Sequence, residues 1–103
     1  MDMEMAAMGL VGNSGEARSL AFEAIKKAKD GKYDEAREML EKAKKKSLLA
    51  HETQTELICA EADGKKMEMG LLMVHAQDHL MTSILARDLA AEIIDLHEKL
   101  NNK

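Results

Sequence analysis

Leu71–Leu89 reads LLMVHAQDHLMTSILARDL, and this stretch decides the fold. It is apolar almost all round, yet its middle holds His75, Gln77, Asp78 and His79. On a helix each residue turns about 100°. With Asp78 as the origin, Leu71, Leu85, Leu89 and Leu96 fall within roughly 20° of it, flanked by Val74, Met81, Thr82 and Ile93. A carboxylate on such a seam needs a cation, a metal or a donor, because burying it unpaired costs several kcal/mol. His75 lies at i−3 from Asp78, and His79 is adjacent.

A second seam on the same helix runs through Met69, Met73, Ala76, Leu80, Ile84, Ala91 and Ile94. Two helices of one small subunit cannot cover both faces, so one seam is expected inside the subunit and the other against further copies of the chain. The spacing Leu71, His75, Asp78, Thr82, Leu85, Leu89 is heptad-like and supports self-association through this helix. Were that seam to lie on a symmetry axis, the Asp78 carboxylates would meet and require a cation or shared protons.

Outward from this stretch the chain is helical throughout. It has 103 residues, no proline, 46% hydrophobic and 33% charged residues, and Phe22 and Tyr33 as its only aromatics. One small domain, 1–103, with a modest core is expected. Ala17, Leu20, Ala21, Ala24, Ile25 and Ala28 recur at helical spacing, giving a first helix over about 14–30. Gly12–Gly15 (GNSG) offers its start, with Ser14 as N-cap, and residues 1–9 either extend that helix or fray. Leu10 and Val11 continue the stripe backwards, which leaves an earlier start open. Asp30-Gly31 ends the helix, with Gly31 as the left-handed C′ residue. A second helix, 33–62, carries Ala36, Leu40, Ala43, Ser47, Ala50, Gln54 and Leu57 on one stripe and Leu48, Thr55, Ile58 and Ala62 on another. It ends at Asp63-Gly64. The third helix is expected over 66–100. The elbow AKDGKYDEA resembles that of tetratricopeptide hairpins but does not recur, so a repeat array is not expected; an ordinary elbow with Tyr33 packed into it is.

Net charge is −4. Lys42, Lys44, Lys45 and Lys46 follow Glu35, Glu38 and Glu41 on one helix, a solvated face rather than a basic patch. With two aromatics and no basic stripe, nucleic-acid binding is not expected. The same scarcity argues against a sugar-stacking cleft. Cys59 is alone, so no disulfide forms within the chain, which fits a reducing compartment. The N-terminus has no basic n-region, and the apolar run around 67–89 is interrupted by His75, Asp78 and His79, so neither a secretory signal nor a membrane span is expected. A cytoplasmic location follows as the expectation.

Three chemistries fit His75, Asp78 and His79. Polar groups satisfied within a helical core would make the chain a non-catalytic adaptor. A metal site could use His75 and His79 at i, i+4, but the Glu of HExxH is absent and no third ligand set is evident, with His51 and His97 single and peripheral. In phosphohistidine chemistry a neutral imidazole is the nucleophile. The sequence has no nucleotide-binding glycine pattern, so the phosphoryl group would come from another protein. Spacing alone leaves His75 and His79 both open, since they stand about 40° apart on the helix.

The segments MGLVGNSGEARSLAFEAIKKAKDGKYDEA, HETQTELI and MVHAQDHLMTSILARDLAAEIIDLHEKL together resemble the enzyme IIA component of the lactose/cellobiose (N,N'-diacetylchitobiose) family of the bacterial phosphoenolpyruvate-dependent sugar phosphotransferase system. The resemblance runs from Met8 to Leu100, and VHAQDHLM is its most specific part. It implies an all-α fold, with a three-helix antiparallel bundle per subunit assembled as a homotrimer. His75 would take a phosphoryl group from phospho-HPr and pass it to a cysteine of enzyme IIB, serving uptake of a disaccharide. Asp78 would lie at the threefold axis and share a divalent cation, Mg2+ being the expected ion, with two other copies. Gln77 and His79 would support His75 by hydrogen bonds. The resemblance leans to cellobiose or chitobiose over lactose without choosing between them.

Overall fold

The computed structural model describes residues 2–102. Three helices run antiparallel: α1 (Met3–Lys29), α2 (Tyr33–Ala62) and α3 (Leu71–Asn101). The bundle is a slender rod of 56 × 20 × 18 Å. α1 lies along both other helices, while α2 and α3 touch each other less.

The α1 start differs from the expectation. Asp2, not Ser14, is the N-cap; its carboxylate accepts from the backbone N–H groups of Glu4 and Met5 at 3.0 and 3.3 Å. The helix runs straight through GNSG, and Ser14 is fully buried on its inner face. Ala6, Ala7 and Leu10 are buried against Ala50, Leu57, Met73, Ala76 and Leu80. That packing outweighs the helix cost of each interior glycine, about 1 kcal/mol relative to alanine. Of the two readings open for the N-terminal residues, extension holds for 3–9, which are helical; Met1 lies outside the described residues.

Both expected stops are present. Gly31 and Gly64 have φ of +76° and +91°. Around each, the following residue's N–H reaches back five positions, Lys32 to Lys27 O at 2.9 Å and Lys65 to Ala60 O at 3.1 Å. The glycine's own N–H reaches back three, Gly31 to Ala28 O and Gly64 to Glu61 O, each at 3.0 Å. This is the Schellman arrangement, which satisfies the last carbonyls of a helix. α3 starts at Leu71 rather than at 66, because residues 65–70 form a non-helical linker and Gly70, in extended conformation, takes the N-cap position. Met67 on that linker packs against the core.

The two seams of α3 separate as expected. Met73, Ala76, Leu80, Ser83, Ala90 and Ile94 are buried. The opposite face, through Leu71, Val74, Asp78, Met81, Leu85, Leu89, Ile93 and Leu96, is exposed in the single chain. The carboxylate of Asp78 is therefore not buried within one subunit. Met69, assigned to the inner seam, lies on the linker and is exposed.

The core itself is small-sided. Buried alanines line all three helices, and the largest fully buried side chains are Leu10, Leu80, Ile94, Ser14 and Ser83. Most large apolar side chains of α3 face outward instead. At the far end from His75, Tyr33 Oη and His97 Nδ1 share a hydrogen bond of 3.0 Å. Beside it, Arg37 bonds Glu98 at 2.7 Å and Asp95 at 3.3 Å. The hydrogen bonds to Glu98 and then Asp95 raise the pKa of the guanidinium further above its already basic value.

Candidate functional site

The site occupies the first three turns of α3. No proline or glycine interrupts Leu71–Asn101, so the backbone that carries His75, Gln77, Asp78 and His79 is one rigid helix. His75 is exposed and His79 half-buried. Their rings meet edge to face, with centroids 4.4 Å apart and planes at 79°. Both therefore stand on one flank of α3, as the i, i+4 spacing requires.

Asp78 stands on the outward apolar face, between Val74 and Met81 on one side and Thr82 on the other. Thr82 Oγ1 donates to the backbone carbonyls of Asp78 and His79 at 2.8 and 3.3 Å, which spends its hydroxyl on the helix and leaves the carboxylate aside. Among the described residues of one chain, no three His, Cys, Asp or Glu side chains are grouped so as to hold a metal ion. The chemistry of Asp78 as a ligand therefore needs carboxylates from other copies.

Within one chain Gln77 stands apart from His75. It lies about 160° from His75 around the helix. Its side chain faces α2, where Gln54 Nε2 donates to Gln77 Oε1 at 2.7 Å. Gln77 Nε2 in turn donates to Met73 Sδ at 3.6 Å. Gln54 stands out in the sequence only as an amide on a stripe of α2 that is otherwise apolar but for Ser47. His97, set aside from sequence as peripheral, is used structurally by Tyr33. Further along α3, from Thr82 onward, an apolar groove is lined by Phe22 and Ile25 of α1 and Leu85, Leu89 and Ile93 of α3.

A three-helix rod with a surface histidine pair and an uncovered apolar face defines a helical-bundle protein built to meet other proteins. The chain belongs to the family of lactose/cellobiose-specific IIA subunits of the sugar phosphotransferase system, whose family model matches residues 5–98. It is 50% identical over 99 residues to the N,N'-diacetylchitobiose-specific EIIA component of Escherichia coli K12, covering 96% of this chain and 85% of the relative. The crystal structure of the cellobiose-specific enzyme IIA from Bacillus anthracis superposes with a TM-score of 0.97 at 50% identity, over 100% of this chain and 94% of that one. The solution structures of the IIA(Chitobiose)–HPr complex from the Escherichia coli phosphotransferase system align with a TM-score of 0.85 at 48% identity, over 98% of both chains. The chain is thus a IIA-type phosphotransferase component, and no helix among its described residues is long and apolar enough to cross a membrane.

Proposed function

We propose that this chain carries a phosphoryl group on His75, receiving it from phospho-HPr and delivering it to the cysteine of an enzyme IIB, in the uptake of a disaccharide such as cellobiose or chitobiose. The observation that carries this reading is an exposed imidazole on a rigid helix, in a chain similar over nearly its whole length to a IIA protein solved in complex with HPr. The unprotonated ring nitrogen of His75 attacks phosphorus in line. The P–N bond to the donor imidazole breaks, and its electron pair returns to the donor ring. Transfer between two imidazoles is close to balanced in energy, so the protein's task is positioning and exclusion of water. Leu72, an exposed apolar side chain on the His75 side of α3 and away from the Asp78 seam, suits such a contact surface. In the second step a thiolate attacks the same phosphorus, and the electron pair returns to His75.

We further propose that three copies assemble through the outward face of α3. The support is the inversion of the usual core: alanines inside, and Leu71, Leu85, Leu89 and Leu96 outside. Stable single chains rarely leave so continuous an apolar face uncovered. In that assembly Asp78 from each copy would face the axis, where three carboxylates repel one another. A hard divalent cation such as Mg2+, with oxygen ligands, would relieve the repulsion.

The test is incubation of the full chain with phosphoenolpyruvate, enzyme I and HPr. One acid-labile, base-stable phosphoryl group per chain is expected. Absence of labelling, or stoichiometric zinc or iron with turnover of a small substrate, would favour the adaptor or metal-protein alternatives instead.

A further inference from the structure

Gln54 lies on the inward stripe of α2 with Ala43, Ser47, Ala50 and Leu57, and is half-buried. Its Nε2 donates to Gln77 Oε1 at 2.7 Å and reaches Met81 Sδ at 4.0 Å. Gln77 Nε2 donates to Met73 Sδ at 3.6 Å. A side-chain amide offers one acceptor oxygen and two N–H donors. These contacts use the oxygen of Gln77 and one of its N–H groups, and leave the other N–H unspent. Gln54 thereby sets which way round the Gln77 amide stands, with its carbonyl toward α2 and a donor turned away.

Rotation about α3 gives that donor a target. His75 stands about 60° from Asp78 on one side, and Gln77 about 100° on the other. Within one chain the two cannot meet. In three parallel copies with Asp78 facing the axis, the His75 flank of one copy faces the Met81 and Gln77 flank of the next. The two positions differ in height by only about 3 Å.

We propose that Gln54 is a positioning residue: it fixes the Gln77 amide so that an N–H of one copy is directed at the phosphoryl-bearing His75 of its neighbour. This rests on the proposed function, and on the trimer in particular. An N–H held ready for a phosphoryl oxygen stabilises developing charge without reorganisation, and an amide turned the other way would present a carbonyl to the same oxygens.

The experiment uses the full chain with enzyme I and HPr, and compares Gln54→Leu, Gln77→Leu, the double variant and Gln54→Glu. Rates of phosphoryl acceptance and of phosphohistidine hydrolysis are read by rapid quench, and sedimentation gives the assembly state. Each Leu variant is expected to accept phosphoryl about tenfold more slowly, the scale of one lost charge-assisted hydrogen bond, with the double variant no slower than Gln77→Leu. Gln54→Glu keeps the side-chain length but can only accept, so it is expected to be at least as slow. Wild-type rates in the Gln54 variants, or independent multiplying losses in the double variant, would overturn the inference while leaving the proposed function standing. An unlabelled wild-type chain would overturn both, and a labelled but monomeric one would overturn the inference together with the proposed assembly.

Discussion

The imidazoles of His75 and His79 are in edge-to-face contact, 4.4 Å between centroids, on a single flank of α3. One ring is exposed and the other half-buried, so the two are not equivalent. The exposed ring is open to a partner; the half-buried one braces it. His79→Leu is therefore expected to keep phosphoryl acceptance but slow it, by roughly tenfold for one lost packing or hydrogen-bonding contact. Single-turnover labelling from phospho-HPr checks this, and complete loss in that variant would mean His79 takes part in the chemistry directly.

Asp78→Leu is expected to give an assembly that no longer responds to divalent metal or chelator. In the proposed assembly the swap replaces facing carboxylates by apolar side chains on an apolar face, and such replacements are often neutral or stabilising. Sedimentation with and without chelator reads the outcome. A monomeric variant would show that the cation, rather than the leucines, holds the copies together.

Ser14 distinguishes a core position from a cap. Its hydroxyl is buried without a hydrogen-bond partner in the structure, as is that of Ser47. Ser14→Ala should therefore be neutral or raise stability by up to about 1 kcal/mol, since it removes an unsatisfied polar atom. Were Ser14 an N-cap, the same change would cost about 1 kcal/mol. Thermal unfolding gives the sign.

Gly12 and Gly31 should respond oppositely to alanine. An added Cβ at Gly12 meets nothing within 4 Å, and the residue lies inside α1, so Gly12→Ala should stabilise by up to about 1 kcal/mol. Gly31 is equally open but has φ of +76°, so Gly31→Ala should destabilise by about 1 kcal/mol. Urea unfolding of the two variants under the same conditions checks the contrast.

The helical count, both Schellman stops and the division of α3 into an inner and an outer seam were legible from periodicity and glycine placement. The start of α1 was not. Ser14 between two glycines imitates a cap, and only the burial of Ala6, Ala7 and Leu10 against α2 and α3 shows that the helix continues through it. The linker before Leu71 was hidden for a similar reason, because Lys66–Met69 keeps apolar spacing without helical backbone. At the site, spacing placed His75, Asp78 and His79 on their faces but could not choose between the histidines. Resemblance made that choice. The partner of Gln77 was not legible, because Gln54 comes from another helix and no spacing within α3 points to it.

The central claim is that His75, and not its neighbour, carries the phosphoryl group. The most direct measurement is site localisation by tandem mass spectrometry after incubation with phosphoenolpyruvate, enzyme I and HPr, on the wild-type chain and on His75→Gln. The account predicts a single phosphohistidine at His75 in the wild type and no label in the variant, with the helical content of both unchanged. Label at His79, in either protein, would contradict it.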